Sequence, residues 1–309
     1  MDATPSVALP TDADAGVLRR PPAPMRAGAR ELVWGERTYV MGIINVTPDS
    51  FSGDGLLQSA TEGGDAVAAA VEQALQMAAE GADLLDIGGQ STRPGHREIP
   101  LDEELARVVP VVTAIRAALP DIPISIDTTR ADVASRALAA GADMVNDIWG
   151  VAADQAMLRL AAERGVPVVL MHNRAEARYR NVVAEVLADL SRALEAALGA
   201  GVAWEQTIVD PGIGFGKTPE QNLAVLRDLH LLRALGRPIL LGTSRKSTIG
   251  KVLDLPPEQR VEGTLATTAL GIAAGVDIVR VHDVQANVRA ARMSDAIVRG
   301  GWVEEGASR

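Results

Sequence analysis

The chain has no cysteine among its 309 residues. Disulfides and thiolate chemistry are therefore excluded, a reducing compartment is permitted, and a cytoplasmic location is expected. Aromatic residues make up only 3%, so a core must be built mostly from Ala, Val, Leu and Ile. Lysine is nearly missing too: of 30 basic residues, only Lys217, Lys246 and Lys251 are lysines. That scarcity reads mainly as a compositional preference for arginine, yet it gives weight to Lys246, which sits inside a polar motif. No apolar run approaches the roughly 20 residues of a membrane span. The N-terminus carries no apolar segment of the signal-peptide kind, and no membrane partner is expected. A formal net charge of −10 argues against nucleic acid as a partner, because duplex binding leans on clustered Lys and Arg.

What is present is apolar chain in quantity. At 47% hydrophobic over this length, one large domain with a sizeable core is expected. Residues 1–28 repeat Pro and Ala, as in Pro21-Pro22-Ala23-Pro24; such a stretch forms no packed face and reads as a disordered tail. The domain is then expected over 29–303. A short hairpin, Glu31 to Trp34 against Thr38 to Val40 around Gly35-Glu36-Arg37, is expected to plug its bottom.

Beyond it, short apolar runs alternate with helical patterns. Strands are predicted at Val40–Ile44, Leu84–Ile87, Ile124–Ile126, Met144–Val145, Val166–Leu170, Thr207–Val209, Pro238–Leu241 and Ile278–Val281. Between them, apolar residues recur at helical spacing, as in Val183, Val186, Leu187, Leu190, Leu194 and Leu198. A second stripe, Leu105 to Ile115, contains Pro110, where a kink is expected. Five helices run into glycines, Gly81, Gly141, Gly165, Gly201 and Gly275, which suit helix C-caps feeding the next strand. Eight strand–helix units in succession predict parallel pairing and a closed (β/α)8 barrel.

Each strand ends in a polar residue: Asn45, Asp86, Asp127, Asn146, His172 with Asn173, Asp210, Ser244 to Ser247, and Arg280 with His282. Asp, Asn and Ser are ordinary turn residues, which accounts for any one of these but not for eight in register. The C-terminal face of such a barrel holds the active site. The segment Asp210-Pro211-Gly212-Ile213-Gly214-Phe215-Gly216-Lys217 stands out, an apolar strand ending in a carboxylate and then a turn too rich in glycine for routine packing. It resembles a Walker A loop and the start of a dinucleotide fingerprint, but Pro211 and Lys217 stand where glycines belong. Asp127, Asn146 and Asp210 are expected to point into one mouth. Carboxylates there accept paired N–H donors, as on an amino-pyrimidinone edge, and they repel one another unless a donor-rich ligand or a cation is present. Arg280 and His282 alternate at strand spacing and face one side; standing unpaired, they would imply an anion, the alternative being that neighbouring carboxylates satisfy them. Arg93, among glycines, carries a planar donor fork suited to phosphate or carboxylate. The polar loop from Asn45 to Gly55, with Phe51 upon it, suits a lid carrying metal or phosphate ligands.

Together these motifs resemble the dihydropteroate synthases. The resemblance spans about residues 39–298 and rests on Met41 to Phe51, Asp86 to Gly95, Ser125 to Thr128, Asn146-Asp147-Ile148, Met171-His172, Asp210 to Lys217, Ser244 to Ser247 and Arg280 to Asp283. It implies a (β/α)8 barrel, a homodimer and a Mg²⁺-dependent transferase of folate biosynthesis, a sulfonamide target. That enzyme condenses 6-hydroxymethyl-7,8-dihydropterin pyrophosphate with 4-aminobenzoate. The resemblance also implies a pterin pocket of Asp127, Asn146, Asp210 and Lys246, with Met171 and Phe215 nearby. Asn45 (as metal ligand), Arg280, His282 and Arg93 would serve the pyrophosphate, and Phe51, Thr92, Pro94 and Ser247 would frame the aminobenzoate. Asp127, Asp210, Lys246, Arg280 and His282 are the expected catalytic set. One departure stands out: the family's second loop reads Gly-Gly-Glu where this chain has Gly88-Gly89-Gln90, which alters that loop's hydrogen bonding. A pterin-binding methyltransferase would share the barrel and pocket but would not need the cations for pyrophosphate. A non-catalytic pterin-binding relative should have lost anion or loop residues.

Overall fold

The computed structural model describes residues 21–46, 63–90, 99–149 and 155–300, without the side chains of residues 63–65. Eight parallel strands form the sheet: β3 (Tyr39–Asn45), β4 (Leu84–Gly88), β5 (Ile124–Asp127), β6 (Met144–Asp147), β7 (Val168–Met171), β8 (Thr207–Asp210), β9 (Leu240–Leu241) and β10 (Ile278–Val281). Their spatial order is β8-β7-β6-β5-β4-β3-β10-β9. A parallel bridge between Val209 and Ile239 joins the two ends and closes the barrel. The main connecting helices are Gly63–Ala79, Leu101–Ala118, Ala131–Ala140, Gln155–Arg164, Val182–Gly199, Pro219–Arg227, Val261–Ala273 and Val284–Val298. Helix Leu101–Ala118 runs through Pro110 without ending, and the proline is exposed there. The five glycines assigned to helix ends all take positive φ, from 61° to 116°. Among the described residues, no helix is long and apolar enough to cross a membrane.

The strand pleat positions the site. Successive side chains alternate between faces, so residues two apart point the same way. One face of the strands packs on the helices and buries residues such as Val40, Ile44, Leu85 and Ile126. The other face fills the barrel bottom with Tyr39, Met41, Leu84, Met144, Val169, Ile208, Leu240 and Ile278. Two residues further along, the same inward rows carry Asp86, Asn146, Met171, Asp210 and Arg280. An apolar floor therefore lies under a polar mouth.

The hairpin differs from its expected position. β1 (Met25–Ala27) pairs antiparallel with β2 (Arg30–Leu32), Met25 opposite Leu32. Met25, Ala27, Leu32 and Trp34 seal the floor, joining the inward bottom residues in one cluster. Thr38 to Val40 cannot serve as the second hairpin strand because the barrel already holds that backbone. Asp295 accepts from Thr38 N at 2.7 Å, Asp277 O from Tyr39 N at 2.9 Å, and Asp83 from Val40 N at 2.9 Å. Packed structure thus starts within the stretch the sequence assigns to the tail.

Candidate active site

Arg280 lies at the centre of the mouth. Its Nε donates to Asp86 Oδ2 at 2.5 Å and its Nη2 to Asp127 Oδ2 at 2.7 Å. Asp86 is wholly buried, and Asp127 is 4% exposed. Of the two readings of Arg280, an unpaired cation demanding an anion or one satisfied by neighbouring carboxylates, the structure shows the second: Arg280 has two carboxylate partners, and a planar fork suits that geometry. Burial draws the guanidinium pKa down, but Asp86 and Asp127 outweigh this and hold it above its ordinary value. Burial pushes Asp127 up to about 7 against the pull of Arg280.

Asp86 also accepts from Asn146 Nδ2 at 3.0 Å, which leaves the amide oxygen of Asn146 as the group to present elsewhere. Asp210 lies across the mouth, paired in register with Met171. Its Oδ1 accepts from Gly212 N at 2.7 Å, and burial raises its pKa, opposed first by Lys246. Lys246 Nζ donates to the Ile213 carbonyl and sits 4.5 Å from the centroid of the Phe215 ring. Burial lowers its pKa to about 8. Asp127, Asn146, Asp210, Lys246, Phe215, Met171 and Arg280 therefore gather in one mouth, as expected. The cations that relieve the clustered acids are Arg280 and Lys246.

His282 sits beside this group, its Nδ1 2.9 Å from Ser244 Oγ. Ser244 Oγ also accepts from His282 N at 3.1 Å, so its own proton is available to Nδ1. Arg245, at φ 56°, grips Asp283 at 2.6 and 3.1 Å and ties the loops after β9 and β10 together. Ser247 is exposed at the start of helix Ser247–Leu253. Asn45 ends β3 in pairing with Gly88. A Cβ placed on Gly88 would lie 3.8 Å from Asn45 Oδ1 and 3.7 Å from Asp127 Oδ2, so an amide oxygen and a carboxylate border the same space. Phe51, Thr92, Arg93 and Pro94 lie outside the described residues.

Three participants carried no assigned role in the sequence. Asp86 was readable only as one more strand-end acid, although its position two residues beyond an inward Leu84 is that of a site residue. His172 and Lys217 are the others. Lys217 Nζ lies 2.8 Å from His172 Nδ1 and donates to the carbonyls of Gly212 at 2.9 Å and Phe215 at 3.1 Å. The scarcity of lysine was the available signal for Lys217.

The arrangement offers acceptors for a donor-rich ring deep in the mouth, with the N–H groups of Arg280 and His282 beside them. Comparison with known proteins identifies the family. The sequence profile of the family described as "pterin binding enzyme" matches residues 41–282. A dihydropteroate synthase of Clostridium beijerinckii is 50% identical over 276 residues, spanning 89% of this chain and all of that protein. A crystal structure of the dihydropteroate synthase from Clostridium difficile in the presence of pteroic acid superposes with a TM-score of 0.81 at 50% identity, covering 86% of this chain and 98% of that one. The Xanthomonas albilineans dihydropteroate synthase with 4-aminobenzoic acid gives a TM-score of 0.82 at 43% identity, covering 89% and 98%.

Proposed function

Since this chain belongs to the pterin-binding enzymes, and among them to the dihydropteroate synthases, we propose that it joins 6-hydroxymethyl-7,8-dihydropterin pyrophosphate to 4-aminobenzoate. It is a transferase, and it acts in the cytoplasm in folate biosynthesis. The observation that carries the reading is the buried acceptor set Asp127, Asn146 and Asp210 interleaved with Arg280 and Lys246. Among the described residues, Asp127 Oδ1 finds no hydrogen-bond donor, and leaving a buried acceptor unmet is costly. The N–H edge of a pterin supplies such donors.

In the reaction, the bond from the pterin methylene to the pyrophosphate oxygen breaks, and the electron pair leaves with pyrophosphate. The aminobenzoate nitrogen then forms the new C–N bond and sheds a proton. Asp127 and Asp210 favour the positive charge that develops on the pterin ring. Arg280 and the Nε2–H of His282 donate hydrogen bonds to the departing pyrophosphate. No protein nucleophile is required. Among the described residues no group of three or more His, Cys, Asp or Glu side chains could cage a metal. Mg²⁺ is commonly held by one or two protein oxygens together with substrate phosphates, and the Asn45 amide oxygen beside Asp127 fits that use. Bound there, Mg²⁺ would supply further charge neutralisation to the leaving group.

The test is direct. Purified protein mixed with the dihydropterin pyrophosphate, 4-aminobenzoate and Mg²⁺ is expected to yield dihydropteroate by mass spectrometry, and EDTA is expected to suppress it. Asp210→Ala should abolish pterin binding by calorimetry. Wild-type affinity in that variant would remove Asp210 from the pocket.

The same reading includes a homodimer. Leu270, Met293 and Ile297 are 71%, 62% and 71% exposed on the neighbouring helices Val261–Ala273 and Val284–Val298. Met293 and Ile297, four apart, share one helix face. Large apolar side chains grouped this way suit a self-complementary contact with a second copy. Light scattering is expected to give a dimer mass for the wild type and a monomer mass for Ile297→Glu. A monomeric wild type would refute the assignment.

A further inference from the structure

The Asp210–Lys217 loop is held from behind, on the outer side of the barrel, by groups that the reaction does not touch. His172 is completely buried. Its Nε2 faces Asp189 Oδ2 at 3.1 Å. Asp189 also accepts from Arg174 Nε at 2.9 Å and Nη2 at 2.7 Å, and from Arg192. A carboxylate so surrounded by guanidinium groups is an acceptor, so His172 Nε2 carries the proton. The other ring nitrogen, Nδ1, faces Lys217 Nζ at 2.8 Å. Burial lowers the Lys217 pKa to about 7, but the three acceptors around Nζ match its ammonium form, which has no acceptor capacity and so assigns the same tautomer from the opposite end. Burial and the adjacent Lys217 hold the His172 pKa down at about 4, in keeping with a neutral ring.

Lys217 closes the loop upon itself. Its three donors match three acceptors: His172 Nδ1, Gly212 O and Phe215 O. The rest of the loop is fastened as tightly. Tyr179 Oη donates to Gly216 O at 2.8 Å, and Gly214 N donates to Asn222 Oδ1 at 2.8 Å. The loop's inner side carries Asp210, Phe215 and the Ile213 carbonyl that receives Lys246.

We propose that Lys217 is a positioning residue for pterin binding: a relay from Asp189 through His172 to Lys217 fixes the loop that presents Asp210 and Phe215 to the pterin and that seats Lys246 through the Ile213 carbonyl. The proposal rests on the synthase reading for the identity of the ligand. The relay touches only the pterin end, so its loss should separate the two substrates.

Lys217→Met is expected to weaken binding of the dihydropterin pyrophosphate, measured by calorimetry without 4-aminobenzoate, by about tenfold or more, in line with the cost of misplacing a binding group. The KM for 4-aminobenzoate should change by less than about twofold, since a uniform loss would instead mark general damage. His172→Gln combined with Lys217→Met should bind no worse than Lys217→Met alone, because members of one network are not additive. Unchanged pterin affinity, or an equal rise in both KM values, would overturn the relay. The wild type offers a check that needs no variant: with only four histidines in the chain, ¹⁵N spectra should show His172 neutral and protonated on Nε2, and an Nδ1–H tautomer would also overturn it. A wild type that binds the pterin but forms no dihydropteroate would defeat the synthase reading while leaving the binding comparison to judge the relay.

Discussion

Arg280→Met is expected to lower folding stability by about 3–5 kcal/mol, the usual result of stripping one partner from a buried ion cluster. It is also expected to lower kcat/KM for the pterin pyrophosphate by about 100- to 1,000-fold, as when a preorganised donor is removed. The reason is specific to this mouth. Among the described residues Arg280 alone spans Asp86 and Asp127, and methionine would leave two buried carboxylates without that shared cation. Burial already raises Asp127 to about 7 with Arg280 present, above the roughly 3.9 of an unfolded aspartate. A carboxyl whose folded pKa lies above its unfolded value binds more protons when folded, so its contribution to stability is present at low pH. That contribution is lost as pH rises from about 4 through the folded value. Removing Arg280 raises that value further and extends the loss into the alkaline range. Urea unfolding should therefore show a smaller deficit for Arg280→Met at pH 5 than at pH 8, and adding Asp86→Asn should recover part of it without recovering turnover. Equal deficits at the two pH values would rule out the electrostatic explanation.

The parts of this site that were legible in the sequence share one cause. A barrel strand has period two, and the inward row changes from apolar to polar at the mouth: Leu84 then Asp86, Ile208 then Asp210, Ile278 then Arg280. Short apolar runs closed by a polar residue therefore disclosed both the strands and the face that works. Local pattern also placed the glycines at helix ends and the stripe of helix Val182–Gly199. What depends on distant partners was hidden. The hairpin was misplaced because Asp295, Asp277 and Asp83, far along the chain, claim the backbone of Thr38 to Val40. Whether Arg280 wants an anion or is met by carboxylates could not be read locally, because its partners lie 194 and 153 residues away. Asp189 lies within helix Val182–Gly199, where an acid reads as a solvated surface residue until His172 and Arg174 are placed against it.

The second large effect is expected from a single methyl group. Gly212→Ala should destabilise the protein by about 3 kcal/mol or more, since strain and a steric overlap act together at one position, and should also remove pterin binding. Gly212 has φ +65°, and a Cβ there would stand 1.8 Å from the carbonyl oxygen of His172. Neither backbone can retreat. Gly212 N is bound by Asp210 Oδ1 and its carbonyl by Lys217, while His172 N is tied to Asp210 O at 2.9 Å. Any movement that relieves the overlap must displace Asp210 or the Lys217 clamp. Gly165→Ala is the matched control: its φ is +61°, but nothing lies within 4 Å of the added Cβ. It should show only the left-handed backbone penalty, about 1–2 kcal/mol, with pterin affinity intact. Chemical denaturation and calorimetry on the two variants compare strain alone with strain plus collision. If Gly212→Ala behaved like Gly165→Ala, the ends of β7 and β8 would not approach each other as closely in solution as the site requires, and the tight seating of Asp210 would have to be given up.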